Sequence, residues 1–372
     1  MPYASAITNY ANAIIGNYTN APIALDRLDP LVCMTVGAGR IKLLNDIYSR
    51  ICTTLSCGGA GGDPAFGMKM EGITGEYGAG KSHIGYMLKQ NVLSVGEDVL
   101  IAHVQITGAA RFQEALASIL RALQVSNAPS LTVNGVEVGA YRRLFGWYGH
   151  SELAIFNATR DFCGNLPVAA ARDFARGVLD ASSGATNAAL LQLALDAWVT
   201  KAEPRAALEM FLLVMRLFIS VGTCRLVLII DEFEAIQHLP ATERRAILQS
   251  FQDLHDSLSK QEAGSLAAYM LLFSTEDWIR HVDATLPSFG SGNRLRSVTT
   301  LPDLCVTDIR ALVYKSFYFH LMGDTSAIPL TEEQLEAVCK SVIEAAGGKR
   351  YHLRSIQRNI HEELARLMHP SA

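Results

Sequence analysis

Gly75-Glu76-Tyr77-Gly78-Ala79-Gly80-Lys81-Ser82, residues 75–82, fills every defined position of the pattern G-x-x-x-x-G-K-[ST]. A triphosphate crowds negative oxygens together, and holding them takes a dense set of donors. Glycines at 75, 78 and 80 let the backbone curl without Cβ clashes, so successive N–H groups can point inward. A helix beginning at Lys81 adds its positive end. Lys81 is expected to reach the β- and γ-phosphates, and the Ser82 hydroxyl to complete magnesium coordination. The predicted contacts run from Gly75 through His83, with Glu76, Tyr77 and Ala79 between the glycines. The flanks fit the pattern: MKMEGIT (68–74) reads as a strand and KSHIGYMLKQNVL (81–93) as a helix. The expected cofactors are ATP and Mg2+.

A second signal lies at Val227-Leu228-Ile229-Ile230-Asp231-Glu232, an apolar strand ending in two acids. Open α/β sheets bind ligands at the carboxyl ends of their strands. Asp231 is expected to hold magnesium through water, and Glu232 to activate the attacking water as general base. The plainer alternative is an acidic cap after a buried strand. An acid in Glu232's place favours hydrolysis over phosphate transfer to a small molecule, the reaction of a kinase.

Strands are also predicted at 99–106, 268–274 and about 297–301, with helices over about 40–54 and 241–260. The interval 110–222 reads as almost entirely helical, including PRAALEMFLLVMRLF, and the tail as three helices at 307–322, 331–346 and 350–367. The expected fold class is therefore α/β: a parallel sheet of the P-loop NTPase type with a long helical insertion and a C-terminal helical lid. The expected divisions are an N-terminal arm at 1–34, an ATPase core at 35–302 with its insertion at about 110–222, and a lid at 303–372.

Composition sets limits. With 49 % hydrophobic and 18 % charged residues among 372, the chain can bury a sizeable core. Its most apolar run, 206–222, is broken by Glu209 and Arg216, so no membrane span is expected. Seven scattered cysteines without a CxxC, and an N-terminus lacking a basic-then-apolar segment, point to reduced thiols and a cytoplasmic location. A net charge of −4 gives no global pull on nucleic acid. Basic residues do gather at 349–366, where Arg354 and Arg358 follow Arg350 at helical spacing.

Taken together, these residues resemble AAA+ ATPases of the branch containing the Orc/Cdc6 and STAND proteins. VGAGRIKLL resembles the box that precedes the phosphate loop in that branch, which implies that Gly39 and Arg40 lie near the adenine. The resemblance also implies that Ser274 or Thr275, at the tip of AYMLLFST, contacts the γ-phosphate or the attacking water. It places an arginine acting on a neighbouring subunit at Arg294 or Arg296. GKRYHLRSI resembles the lid motif, with Lys349 where a proline is usual, and carries a nucleotide-sensing role onto Arg350 or Arg354. The loop flavour, with Glu76 and Tyr77, is similar to that of small ATP-binding proteins from BREX-type anti-phage systems. The resemblance implies a homo-oligomeric ATPase with DNA or a defence-system protein as partner. A slowly hydrolysing STAND-type switch and a transposition-targeting ATPase are the alternatives.

Overall fold

Glu71, an acid within the largely buried strand at 69–74, shows how the phosphate-loop strand is seated. In the computed structural model its carboxylate accepts Arg50 Nε at 3.1 Å and Arg50 Nη2 at 3.0 Å, while its residue is 8 % exposed. Such a pair satisfies a buried carboxylate with two directed donors. The Tyr269 phenol packs beside it, and burial, reinforced by Glu71, holds that hydroxyl protonated far above the ordinary range.

The structure describes residues 38–56, 68–94, 99–106, 111–126, 132–133, 136–137, 139–141, 144, 199–200, 202–220, 222–260, 262, 266–290, 294–323, 330–345 and 353–368. The expected arm at 1–34 and most of the expected helical insertion lie outside them. In chain order the elements are α1 (Ala38–Ser56), β1 (Lys69–Thr74), α2 (Lys81–Leu93), β2 (Leu100–Gln105) and α3 (Phe112–Ala122). Three two-residue strands come next: β3 (Gln124–Val125), β4 (Thr132–Val133) and β5 (Val136–Glu137). Then follow α4 (Pro204–Ser220), β6 (Arg225–Asp231), a 3-10 turn (Phe233–His238), α5 (Ala241–Ser259), β7 (Ala267–Ser274), α6 (Trp278–Thr285) and β8 (Leu295–Thr300). Three helices close the chain: α7 (Val306–Gly323), α8 (Glu332–Ala345) and α9 (Leu353–Met368).

Six strands form one sheet in the order β3-β2-β6-β7-β1-β8. Every pairing is parallel except that of β3, which runs antiparallel at the edge. Strands covered on both faces have no reason to alternate, and β6 and β7 do not: Leu226 through Ile230 and Tyr269 through Phe273 are each 0 % exposed. The interval expected to be helical departs from that expectation at β3, β4 and β5. These strands are two residues long, too short for periodicity to register. The apolar run up to Ser220 lies in α4. Phe211, Val214, Met215 and Phe218 are at most 1 % exposed, and the Arg216 side chain donates to the Glu262 carbonyl. It is a helix hydrophobic nearly all round because protein covers it. Among the described residues no helix is long and apolar enough to cross a membrane.

The chain divides into two compact units, Asp46–Gly75 with Ile84–Thr300, and Met1–Asn45 with Glu76–His83 and Leu301–Ala372. The first contains the sheet and one continuous core from Met68 to Leu295. The second has its own core, in which Ile309, Leu312 and Val313 of α7 meet Leu335 and Val338 of α8 and Ile356 and Ile360 of α9. Thr331 caps α8: the Gln334 backbone amide donates to Thr331 Oγ1 at 3.3 Å, and the Thr331 backbone amide to Gln334 Oε1 at 2.8 Å.

Arg50→Ala would leave the Glu71 carboxylate buried without its cation and is expected to cost about 2 kcal/mol. Urea unfolding checks this, and Glu71→Leu with Arg50→Ala should recover most of the loss because the charge has gone with its partner.

Candidate nucleotide site

The ladder between β1 and β7 runs in register from Lys69↔Tyr269 to Thr74↔Ser274. One further bond, from the Gly75 amide to the Ser274 carbonyl at 3.1 Å, marks where the chain leaves the sheet. The loop then turns on itself: the Ala79 amide donates to the Glu76 carbonyl at 3.1 Å, and Lys81 Nζ to the same carbonyl, also at 3.1 Å. Gly78 and Gly80 take φ values of +78° and +96°, which L side chains rarely adopt. At Gly80 a Cβ would also sit 2.8 Å from Leu353 Cδ2 and 3.2 Å from Arg40 Nη1. Lys81 is 7 % exposed, Ser82 is exposed in the first turn of α2, and His83 is half-buried. Tyr77 stands out into solvent at 67 % exposure. This strand, glycine loop and helix form the arrangement that the motif requires. The fold is an α/β P-loop NTPase fold.

Helix α2 approaches the sheet closely because Gly85 lacks a side chain. A Cβ there would lie 3.0 Å from His103 Nε2 and 3.2 Å from Ile229 Cγ2. His103, on β2, lies near Asp231. Burial lowers its pKa more than Asp231 raises it, and Lys89 pushes the same way, so the ring is neutral at pH 7.

Asp231 ends β6 at 2 % exposure, and its Oδ1 accepts the Glu232 amide at 2.9 Å. Glu232 has φ 55° and ψ 36°, and among the described residues no other non-glycine has a positive φ. A left-handed glutamate persists only where its neighbours over-determine it. The neighbour that does so is Phe233, fully buried. Its ring meets Phe251 at 5.0 Å and 72°, Trp278 at 5.0 Å and 84°, and Phe289 at 6.4 Å nearly parallel. This aromatic cluster fixes the turn carrying the two acids, and sequence reading missed it because Phe251, Trp278 and Phe289 are far from Phe233 along the chain.

The other expected site residues fall into place unevenly. Ser274 is fully buried and its hydroxyl donates to the Thr275 carbonyl, whereas Thr275 is half-buried and more accessible. Arg40 donates to the carbonyls of Ala79 and Pro302, and Gly39 packs close to the Pro302 ring. Arg294 is engaged within its own chain: Nε and Nη2 donate to the two Asp256 oxygens at 3.1 and 2.8 Å, and Nη1 to the Ser288 carbonyl at 3.0 Å. Arg296 lies on β8 and Arg354 on α9, while Arg350 falls outside the described residues. Arg358 is exposed and lies 3.8 Å from Glu362.

The residue types on each unit suit a nucleotide and its divalent ion, taken separately. The loop offers backbone amides, a buried ammonium and the Ser82 hydroxyl; on the other unit, Asp231 offers the kind of hard oxygen that magnesium prefers. Among the described residues no cluster of three or more His, Cys, Asp or Glu side chains forms a metal cage.

No protein-family model matches the chain, and no curated protein matches it. Among solved structures, the Aeropyrum pernix ORC2 protein in its ADPNP–ADP complexes is similar, at 12 % identity and TM-score 0.46 over 94 % of this chain and 71 % of that one. The Aeropyrum pernix ORC1 protein in complex with DNA gives 10 %, 0.44, 89 % and 62 % for the same measures. Domain III of the Thermotoga maritima replication initiation protein DnaA gives 12 %, 0.36, 92 % and 99 %. Identities this low carry no residue-by-residue correspondence.

Replacing Glu232 tests the strain directly: Glu232→Gly should be more stable than Glu232→Ala by about 1 kcal/mol, because only glycine is unstrained in the left-handed region. Thermal unfolding of the two variants side by side measures it.

A pH test addresses Asp256. Burial raises its pKa, but hydrogen bonds from Arg294 and His255 outweigh this and hold it below the ordinary 3.8. A depressed carboxylate stabilises the fold above its unfolded pKa and loses that contribution as pH falls through the folded value. Asp256→Asn should thus cost about 1 kcal/mol at pH 7 and progressively less as the pH falls below 3.8, read by denaturation across that range.

Proposed function

We propose that this chain is a magnesium-dependent ATPase that works in an oligomer and couples ATP turnover to remodelling or recruiting DNA or a protein partner. The observation that carries the reading is the common edge of the sheet. There, β1 releases the chain into the phosphate loop at Gly75, β6 ends in Asp231, and β7 lies between them with Ser274 bonded to Gly75. On this reading Lys81 and the loop amides hold the phosphates, and Ser82 and Asp231 serve the magnesium ion. Glu232 takes the proton from the attacking water. Bound magnesium supplies charge neutralisation on the phosphates. The exposure of Thr275 favours it over Ser274 as the residue that touches the γ-phosphate or the water. Arg350 and Arg354 remain the lid candidates for sensing nucleotide, with Gly39, Arg40, Glu76, Tyr77, Gly78, Ala79, Gly80 and His83 around the loop. The Glu76-Tyr77 flavour of the loop supports an anti-phage setting, and the scattered cysteines without a CxxC support a cytoplasmic location.

The engaged state of Arg294 favours a second reading. Its donors are satisfied by Asp256 and Ser288 of its own chain. An arginine needed in trans would have to be released first, which suits a slow nucleotide switch of the STAND type. Phosphate release with and without DNA, together with mass measurement in a non-hydrolysable analogue, separates the two. Turnover that rises with assembly supports the ATPase; slow turnover by monomers supports the switch.

Lys81→Ala should weaken nucleotide binding by about a hundredfold or more, because a buried charged contact to phosphate is removed. Glu232→Gln should bind ATP within about threefold of the parent yet lose turnover by roughly a factor of 10^2–10^4. Fluorescent-nucleotide titration and steady-state phosphate release measure these effects. Normal turnover by Glu232→Gln would sink the catalytic assignment.

A further inference from the structure

Arg40 is a cation 5 % exposed that donates to two backbone carbonyls. Its Nε donates to the Pro302 carbonyl at 2.8 Å, and its Nη1 to the Ala79 carbonyl at 2.7 Å. Ala79 belongs to the phosphate loop; Pro302 lies just before α7, at the entry to the three-helix core. Burial lowers the pKa of the guanidinium, and the charges of Asp308 and Asp303 oppose that shift. All of these residues belong to one compact unit.

We infer that Arg40 is a positioning residue, a clasp that couples the peptide between Ala79 and Gly80 to the entry of the α7–α9 helices. The inference rests on the nucleotide reading above. A trans peptide points its C=O and its N–H in opposite directions, so holding the Ala79 oxygen fixes the aim of the Gly80 N–H, one of the loop's donors. An anion that draws on the Gly80 N–H tilts the same peptide and moves the carbonyl held by Arg40. The planar guanidinium is a rigid fork, so Nε carries that displacement to Pro302. Leu353 of α9 and Arg40 itself both reach the position that a Gly80 Cβ would occupy, so this stretch of the loop lies against the same helices. The phosphate group of the nucleotide is therefore read by Arg40 through the backbone, without a direct contact, and the readout is the order of the helices that follow.

The test is hydrogen exchange by mass spectrometry on the full chain, with and without saturating fluorescently labelled ATP and magnesium. Exchange is followed over residues 306–323 and 353–368. In the parent, nucleotide should slow exchange in both segments. Arg40→Ala should weaken nucleotide binding by less than about tenfold, while losing the nucleotide-dependent slowing at saturation. Arg40→Lys, which can hold one carbonyl but lacks the fork, should keep less than about half of it. If Arg40→Ala fails to fold by circular dichroism, Arg40→Lys decides. Parent-sized slowing in either folded variant overturns the clasp. So does a loss of binding beyond about a hundredfold, which would make Arg40 a direct ligand. So would a parent that binds nucleotide without any slowing. A parent that binds no nucleotide sinks the underlying ATPase reading instead.

Discussion

The hydrogen bond from the Gly75 amide to the Ser274 carbonyl is the last rung of the β1–β7 ladder, and the geometry of the loop starts from it. Up to that rung the chain is locked by a parallel sheet covered on both faces. Beyond it, two left-handed glycines turn the backbone back on itself before α2 begins. The transition is abrupt because Thr74 is still in register with Ser274, while Gly78 already needs a conformation closed to other residues. The root of the loop is held from below by the Arg50–Glu71 pair, which keeps a charged group inside the strand without leaving it unpaired.

The acid-bearing turn is built on a different principle. Glu232 sits in a strained left-handed conformation, and the strain is tolerated because Phe233 drops into an aromatic cluster. A glutamate held on such a turn has few backbone alternatives. The neutral His103 beside Asp231 and the missing side chain at Gly85 bring α2 close to the sheet without adding charge.

Much of this was legible in the sequence. The helix at 81–93 matches α2 residue for residue, because a phosphate-loop motif defines its own start. The apolar strand read as ending in two acids is β6, which takes in Asp231 but not Glu232. The expected strand at 297–301 begins two residues earlier, at Leu295, where a fully buried side chain extends it along β1. Helix α6 and the strands β3 to β5 went unread, being short elements whose existence depends on neighbours distant in sequence.

Sequence alone determined the phosphate loop, the two acids after a buried strand and the α/β class, because each is written in contiguous residues with a local physical meaning. Tertiary structure alone decided which strands are neighbours, and so that β7 separates the loop strand from the acid strand. It alone paired Arg294 with Asp256, gathered the rings around Phe233, and turned Arg40 onto the Ala79 and Pro302 carbonyls. These contacts join residues tens to hundreds of positions apart, and no local spacing encodes which distant carbonyl, carboxylate or ring a side chain will meet once the core has closed.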